Sequence, residues 1–127
     1  MINKRILVLN QGIEQCGKVD DTKLKYACFK TFKGIRDAVE SINESIVELQ
    51  NRYSKKDANG EPMVIKGVPG VTMDTIIFTD QDAFNKEYKA LMLIDSEVTI
   101  HKIKEADLPA NLTVKQQCLL VDMIEEE

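Results

Sequence analysis

Apolar residues recur at steps of three and four along much of this chain, which is the spacing of one face of an α-helix. Near the start, four residues at this spacing predict a helix over residues 3–17: Ile6, Leu9, Ile13 and Cys16. Residues 6–9 are also continuously apolar, so a short strand is the alternative there. The acidic pair Asp20-Asp21, followed by Thr22, then offers a cap for the start of a second helix.

The strongest pattern is a heptad seam that begins soon after this cap. Its members are spaced alternately four and three residues apart: Cys28, Phe32, Ile35, Val39, Ile42, Ile46, Leu49 and Tyr53. We therefore predict one helix from about Thr22 to Lys55, with a length of roughly 50 Å at 1.5 Å per residue. A domain of this size is not expected to cover the whole of such a helix with its own residues.

The positions beside the seam are mostly small or neutral, which favours an antiparallel helical hairpin or a multi-helix bundle over a parallel zipper. Part of the seam is expected to meet other helices of the same chain, and part to meet a second copy. The predicted oligomerisation residues are Phe32, Ile35, Val39, Ile42, Ile46 and Leu49. Gly34 lies off the seam, and is either tolerated or marks the close approach of another backbone.

After the long helix, turn residues separate short β-rich runs. Asp57-Ala58-Asn59-Gly60 predicts a turn, and Val68-Pro69-Gly70-Val71 fits a type II turn between the runs 63–65 and 75–78. A small hairpin or an exposed arm follows from this pattern. Thr79-x-x-Asp82 resembles a capping box that opens a helix from Asp80 to about Leu93. Its apolar stripe, a partner for the long seam, is Phe84, Tyr88 and Leu91.

The last third of the chain predicts one more strand and one more helix. Residues 98–103 alternate as a short strand does, and Thr113-x-x-Gln116 caps a helix from Val114 to Ile124. Together these elements predict an α+β fold that is mostly α, with a long central helix in an antiparallel helical hairpin and a small β element. At 127 residues, the chain fits a single domain over residues 1–127.

Composition and apolar runs exclude several classes of protein. With 43% hydrophobic and 30% charged residues, the chain is typical neither of disordered nor of membrane proteins. The longest apolar run, Ala90–Ile94, is far short of the ~20 residues that span a bilayer. The basic start is followed by only four apolar residues, too few for a secretory signal. We expect a cytoplasmic protein of the host cell.

Residues that commonly carry chemistry are sparse. The three cysteines form no CxxC pair and are expected to be buried free thiols. His101, the one histidine, has no accompanying nucleophile motif and is expected to be structural. Two partial matches to calcium loops fit turn and cap roles better, and no nucleotide-binding glycine motif is present. We therefore expect no catalytic residue, no metal and no cofactor.

Charge is distributed unevenly although the net value is only −4. Residues 1–36 hold eight basic residues against three acidic ones, and the chain ends in Glu125-Glu126-Glu127. This asymmetry suits a polyanion, an acidic partner or contact between copies, or else reflects solvated faces. The bases spread around the helix, which disfavours nucleic acid. The predicted ligand-binding residues are Lys23, Lys30, Lys33, Arg36 and, in the arm, Lys66.

Several segments resemble a family of small uncharacterised proteins of tailed bacteriophages and prophages. They are Leu24-Lys25-Tyr26-Ala27, Lys56-Asp57-Ala58-Asn59-Gly60-Glu61-Pro62, Glu97-Val98-Thr99-Ile100, Asp107-Leu108-Pro109, Leu112-Thr113 and Met123-Ile124-Glu125. The resemblance implies a phage setting and brings no chemistry with it.

The leading hypothesis is a non-enzymatic phage or prophage accessory protein that acts as a homo-oligomer. It would bind a host factor, such as a host protein, or else a small anionic ligand, and a role against host defence is one such function. The alternatives are a virion or tail-assembly component and, second, a nucleic-acid-binding protein.

Overall fold

The computed structural model of the chain describes residues 1–125, which form four α-helices and two two-stranded sheets. The elements in chain order are α1 (Asn3–Cys16), α2 (Thr22–Tyr53), β1 (Val64–Ile65), β2 (Thr75–Ile76), α3 (Gln81–Met92), β3 (Ile103–Lys104), α4 (Val114–Leu119) and β4 (Ile124–Glu125). Short 3₁₀ turns occupy Glu105–Asp107 and Val121–Met123. The predicted α+β class, mostly α with a small β element, is confirmed. Glu126 and Glu127 of the acidic end lie outside the described residues.

The chain divides into two compact units, one formed by Met1–Ser41 together with the chain from Leu93 onward, the other by Ile42–Met92. Helix α2 contributes its residues 22–41 to the first unit and its residues 42–53 to the second. The single domain over residues 1–127 stays a prediction. Among the helices of residues 1–125, none combines the length and the apolar content that a membrane span requires.

In the first unit, α1 and the first half of α2 form the predicted helical hairpin. The connection is only five residues long, and the Asp21 carboxylate caps α2 by accepting a hydrogen bond from the Leu24 N–H at 2.9 Å. The two helices pack through the apolar face of α1, where Ile6, Leu9 and Cys16 are fully buried. A helix over residues 3–17 is therefore confirmed, and the alternative strand at residues 6–9 is not formed.

Helix α4 packs against α1 at Gly12. A Cβ atom at Gly12 would lie 2.9 Å from the Cβ atom of Leu119, so the two helices touch at a point that only glycine permits. The capping box of Thr113 and Gln116 is present as predicted. The helix ends at Leu119 rather than at Ile124, however, because a 3₁₀ turn follows it. This tighter turn accompanies the complete burial of both Leu120 and Met123.

The strand predicted over residues 98–103 is wrong for all but its last residue. Only Ile103 and Lys104 form a strand, β3, which pairs in parallel with β4. The residues before it bond to α2 instead: the Thr99 N–H donates to the Gly34 carbonyl at 3.3 Å. The Thr31 hydroxyl both accepts from the His101 N–H at 3.0 Å and donates to the His101 carbonyl at 3.2 Å. Helix α2 therefore provides the hydrogen-bond partners that a neighbouring strand would provide in a sheet.

The second unit consists of the end of α2, an arm and α3. The arm, residues 62–78, contains the antiparallel pair of β1 and β2. Its tip is the predicted type II turn, since Gly70 has a φ of 78° and the Val71 N–H donates to the Val68 carbonyl at 2.9 Å. The Asp57 carboxylate closes the preceding turn by accepting the Asn59 N–H at 2.8 Å. Both predicted turns and the predicted hairpin are thus confirmed.

Helix α3 returns beside the end of α2 within the second unit. The Asp80 carboxylate caps it, accepting the Ala83 N–H at 3.0 Å. Capping by Thr79, which the sequence predicted, is wrong by one residue, because the Thr79 hydroxyl donates instead to the Tyr53 carbonyl at 3.0 Å. Arg52 and Glu87 form an ion pair of 3.2 Å between the helices. The buried core of this unit includes Ile42, Leu49, Phe84 and Met92.

Candidate binding face on the long helix

Two phenylalanines stand exposed on α2 among basic residues. Phe29 is 57% exposed and Phe32 is 39% exposed, although both lie in the well-packed first unit. Three basic residues share their side of the helix. We call this surface the aromatic–basic face, and its members are Lys25, Phe29, Phe32, Lys33 and Arg36.

Helical spacing explains why these residues lie together. Relative to the first member they stand at i+4, i+7, i+8 and i+11, which places them on one stripe of an α-helix. The stripe that enters the core lies to one side of it and is fully or almost fully buried: Leu24, Ala27, Cys28, Thr31 and Ile35. Because Thr31 occupies a core position, the helix is rotated so that Phe32 faces outward.

A groove of about 350 Å³ runs along this face between α1 and α2. Its apolar lining comes from Ile13 of α1 and from Cys28, Phe29 and Phe32 of α2, while Lys25 stands at its edge. The arrangement combines an apolar floor with cationic surroundings. It is suited to a ligand that has both an apolar group and negative charge.

The positive charge of the face is only weakly neutralised. The Lys33 ammonium lies 4.7 Å from the centroid of the Phe29 ring, and within residues 1–125 it forms no ion pair with a carboxylate. Lys25 contacts Asp20 at 3.6 Å and Arg36 contacts Asp37 at 3.8 Å, but both carboxylates are almost completely exposed. Exposed pairs of this kind contribute about 0–1 kcal/mol, so they are readily exchanged for a ligand's charge.

The structure brings together only some of the ligand-binding residues that the sequence predicted. Lys33 and Arg36 belong to the aromatic–basic face, and Lys30 stands beside it, 5.9 Å from the centroid of the Tyr26 ring. Lys23 forms an ion pair of 3.0 Å with Asp107. Lys66 belongs to the other unit.

Lys66 has a structural role of its own in the arm. It lies 3.3 Å from Asp74, whose carboxylate also accepts the Gly67 N–H at 2.8 Å. The Gly67 amide first, and then Lys66, hold the pKa of Asp74 below its ordinary value. These bonds tie the two sides of the arm together near its tip.

The predicted oligomerisation residues are mostly covered by the chain itself. Four of them are at most 9% exposed and are therefore not available to a second copy: Ile35, Val39, Ile42 and Leu49. Ile46 is half-buried and only Phe32 is exposed. The homo-oligomer and its contact residues stay a prediction, and among these six residues the fold of the single chain leaves Phe32 exposed.

The sequence prediction did not include Phe29, which is the more exposed of the two phenylalanines of the face. Its signal was present, because Phe29 and Lys33 stand four residues apart and side chains at this spacing meet on a helix. The heptad pattern assigned Phe32 to the core, so an exposed aromatic pair was not predicted. The buried Thr31, a small polar residue without apolar periodicity, could not be recognised as a core position.

The cysteines differ in environment. Cys16 and Cys28 are buried free thiols, as predicted, whereas Cys118 is an exposed free thiol, contrary to the prediction. Burial, together with the nearby Cys16, raises the pKa of Cys28 to about 11. The residues that meet α1 at Gly12 are Leu119 and Leu120, whereas Cys118 lines a surface pocket together with Leu108 and Val121. Within residues 1–125, no group of three or more His, Cys, Asp or Glu side chains is arranged to hold a metal ion.

No family model, curated protein or solved structure matches this chain. The resemblance to phage and prophage proteins therefore stays a prediction that rests on the short segments in which it was found.

Proposed function

We propose that this chain is a non-enzymatic accessory protein of a phage or prophage that binds an acidic host protein in the host cytoplasm. In this proposal the partner docks on the aromatic–basic face of α2, and the complex counters a host defence. The observation that supports it is the exposure of Phe29 and Phe32, at 57% and 39%, beside an apolar groove with a cationic edge.

Exposed phenylalanines in a contiguous apolar surface are typical of protein-binding sites. Phe29 and Phe32 are separated by one helical turn, so a partner side chain entering the groove meets both rings. Lys33 sits over one of these rings and carries charge that the described residues do not neutralise. A segment with an aromatic or aliphatic anchor and nearby carboxylates complements both features, as amphipathic helices do in apolar grooves.

Selection of peptides from a random display library tests this chemistry directly. We expect the selected peptides to share a bulky apolar residue flanked by Asp or Glu. Isothermal titration calorimetry with a selected peptide should show binding weakened at least about tenfold by the double substitution Phe29→Ser and Phe32→Ser. Lys33→Glu should also weaken binding, and the effect of the charge should diminish as salt rises.

Val121→Ser is the matched control, because Val121 is 56% exposed but lies outside the face. This variant should bind as the unsubstituted chain does. Circular dichroism should show that all variants remain folded. Selected peptides without acidic residues, or equal losses for the face and the control variants, would contradict the proposal.

The arm favours a second candidate, a virion or tail-assembly component. Its side chains include the most exposed apolar residues of the second unit: Ile65 at 60%, Val71 at 77% and Met73 at 88%. An ordered hairpin with such a surface suits incorporation into a larger assembly. In this case the chain should polymerise as its concentration rises in sedimentation velocity experiments, and Val71→Ser with Met73→Ser should prevent it.

A further inference from the structure

A second cavity of about 320 Å³ lies in the first unit, away from the groove that the proposed host protein would occupy. Three lysines that are far apart in the sequence contribute to its lining. Lys23 comes from the first turn of α2, whereas Lys102 and Lys104 come from the segment that enters β3. The fold therefore concentrates positive charge here that no sequence motif indicates.

The segment that carries two of these lysines is held firmly against α2. Thr31 bonds to both backbone groups of His101, at 3.0 and 3.2 Å, and β3 pairs in parallel with β4. Hydrogen bonds on both sides of Lys102 fix the course of the backbone. A site built on such a support is organised before its ligand arrives.

Two aromatic rings form a corner at the same cavity. The Tyr26 and His101 rings lie 5.4 Å apart, with an angle of 88° between their planes, and Tyr26 is 54% exposed. The Lys30 ammonium lies over the Tyr26 ring, 5.9 Å from its centroid, so a planar group that stacks on this ring displaces that lysine or uses the other face of the ring. A ligand with a flat ring and an anionic group would use both kinds of contact.

Two carboxylates also line the cavity, and their negative charge opposes the binding of an anion. Asp107 holds Lys23 at 3.0 Å, and Glu125 lies opposite Lys104 in the parallel strand pair. The described lining thus has three lysines against two carboxylates. An incoming anion gains the charge of Lys102 and Lys104, and it competes with Asp107 for Lys23.

We propose that this cavity binds a small planar phosphorylated ligand of the nucleoside monophosphate class. The phosphate lies among the three lysines, where charge-assisted hydrogen bonds stabilise it, and the base stacks on Tyr26. The volume is at the lower end of the range for small-molecule sites and suits a single nucleotide. This site is independent of the aromatic–basic face and uses none of its residues.

Titrations followed by nuclear magnetic resonance test the site with adenosine monophosphate, adenosine and inorganic phosphate as probes. Adenosine monophosphate should bind more tightly than either of its two parts and should shift the signals of Tyr26 and His101. The double substitution Lys102→Glu and Lys104→Glu should weaken this binding by about tenfold or more. Lys115→Glu, which reverses an exposed lysine on α4, should leave it unchanged.

The substitution Asp107→Asn tests the site by a gain of affinity, which a variant that failed to fold could not show. Releasing Lys23 from its carboxylate partner should strengthen the binding of adenosine monophosphate by about two- to fivefold. Weaker binding in this variant, no binding of adenosine monophosphate at millimolar concentration, or equal binding of adenosine would overturn the proposal. A 5′-phosphorylated tetranucleotide that bound far more tightly than the monophosphate would overturn the assignment to a small ligand. None of these results bears on peptide binding by the aromatic–basic face, which uses other residues.

Discussion

At Gly34, the long helix comes so close to another part of the chain that a side chain is excluded. A Cβ atom there would lie 1.9 Å from the Thr99 carbonyl oxygen and 2.8 Å from its carbon. The sequence left two explanations for this glycine, simple tolerance or close approach of another backbone, and the structure shows the second. Glycine at this point lets residues 99–101 lie on α2 and bond to it.

Gly34→Ala should therefore destabilise the chain even though alanine favours helix. Alanine gains about 1 kcal/mol in helix propensity, but its methyl group overlaps backbone atoms that cannot rotate away. We expect a net loss of about 1–3 kcal/mol in the free energy of unfolding, measured by urea titration. Asn43→Ala, at an exposed position of the same helix, should be neutral or slightly stabilising. An unchanged stability for Gly34→Ala would show that the close approach is not present in solution.

The three cysteines should react at very different rates. The thiolate is the reactive form, and burial raises the pKa of both Cys16 and Cys28, the latter to about 11. At pH 8, iodoacetamide should modify Cys118 first, and mass spectrometry should find the other two protected until the chain unfolds. The raised pKa of Cys28 also makes the stability of the fold depend on pH. The Cys28 thiol loses its proton at a lower pH in the unfolded chain than in the folded chain, so the free energy of unfolding falls between about pH 9 and 11. Equal modification of all three cysteines in the folded chain would be inconsistent with the structure.

Among the elements, those with strong periodicity or turn chemistry were predictable from the sequence. Helices α1 and α2 follow from apolar spacing, and the arm follows from Pro69-Gly70 between β-rich runs. The rotation of α2 was not predictable, because a small polar residue, Thr31, takes a core position that the heptad pattern gave to Phe32. Residues 98–102 alternate as a strand does, yet their backbone bonds to a helix. Such tertiary partners leave no local signal.

The second half of α2 offers a direct check of which face is buried. Ile42 is 3% exposed and Val47, on the same helix, is 52% exposed. Ile42→Asp buries a charge without a partner and should cost several kcal/mol, lowering the melting temperature strongly or preventing folding. Val47→Asp is the matched control and should change stability by no more than about 0.5 kcal/mol. Similar melting curves for the two variants in circular dichroism would contradict the assignment of the buried face.

For the whole molecule, we predict that the chain is not a monomer. The exposed apolar residues of the arm give a surface that a twofold contact between copies can cover, which is the commonest way such surfaces are closed. Light scattering on a size-exclusion column should give the mass of a dimer at micromolar concentration. Val71→Ser with Met73→Ser should reduce the mass to that of one chain. A single-chain mass for the unsubstituted protein would refute the prediction.

The aromatic–basic face was only partly predictable from the sequence. The basic third of the sequence led to Lys33 and Arg36, but not to Phe29 or the groove, because these depend on how α1 packs against α2. Lys23 and Lys66 were predicted to join them, and both are paired with carboxylates elsewhere.

Photo-crosslinking in host cells tests whether the aromatic–basic face binds an acidic host protein. A photoreactive phenylalanine analogue is placed at position 29 or, as the control, at position 121, which is almost equally exposed. Position 29 should yield a crosslink to one host protein, with the attached peptide rich in Asp or Glu, and Lys33→Glu should remove it. Position 121 should give no such product. Equal crosslinking from both positions, or an attached peptide without acidic residues, would show that the aromatic–basic face does not bind an acidic host protein.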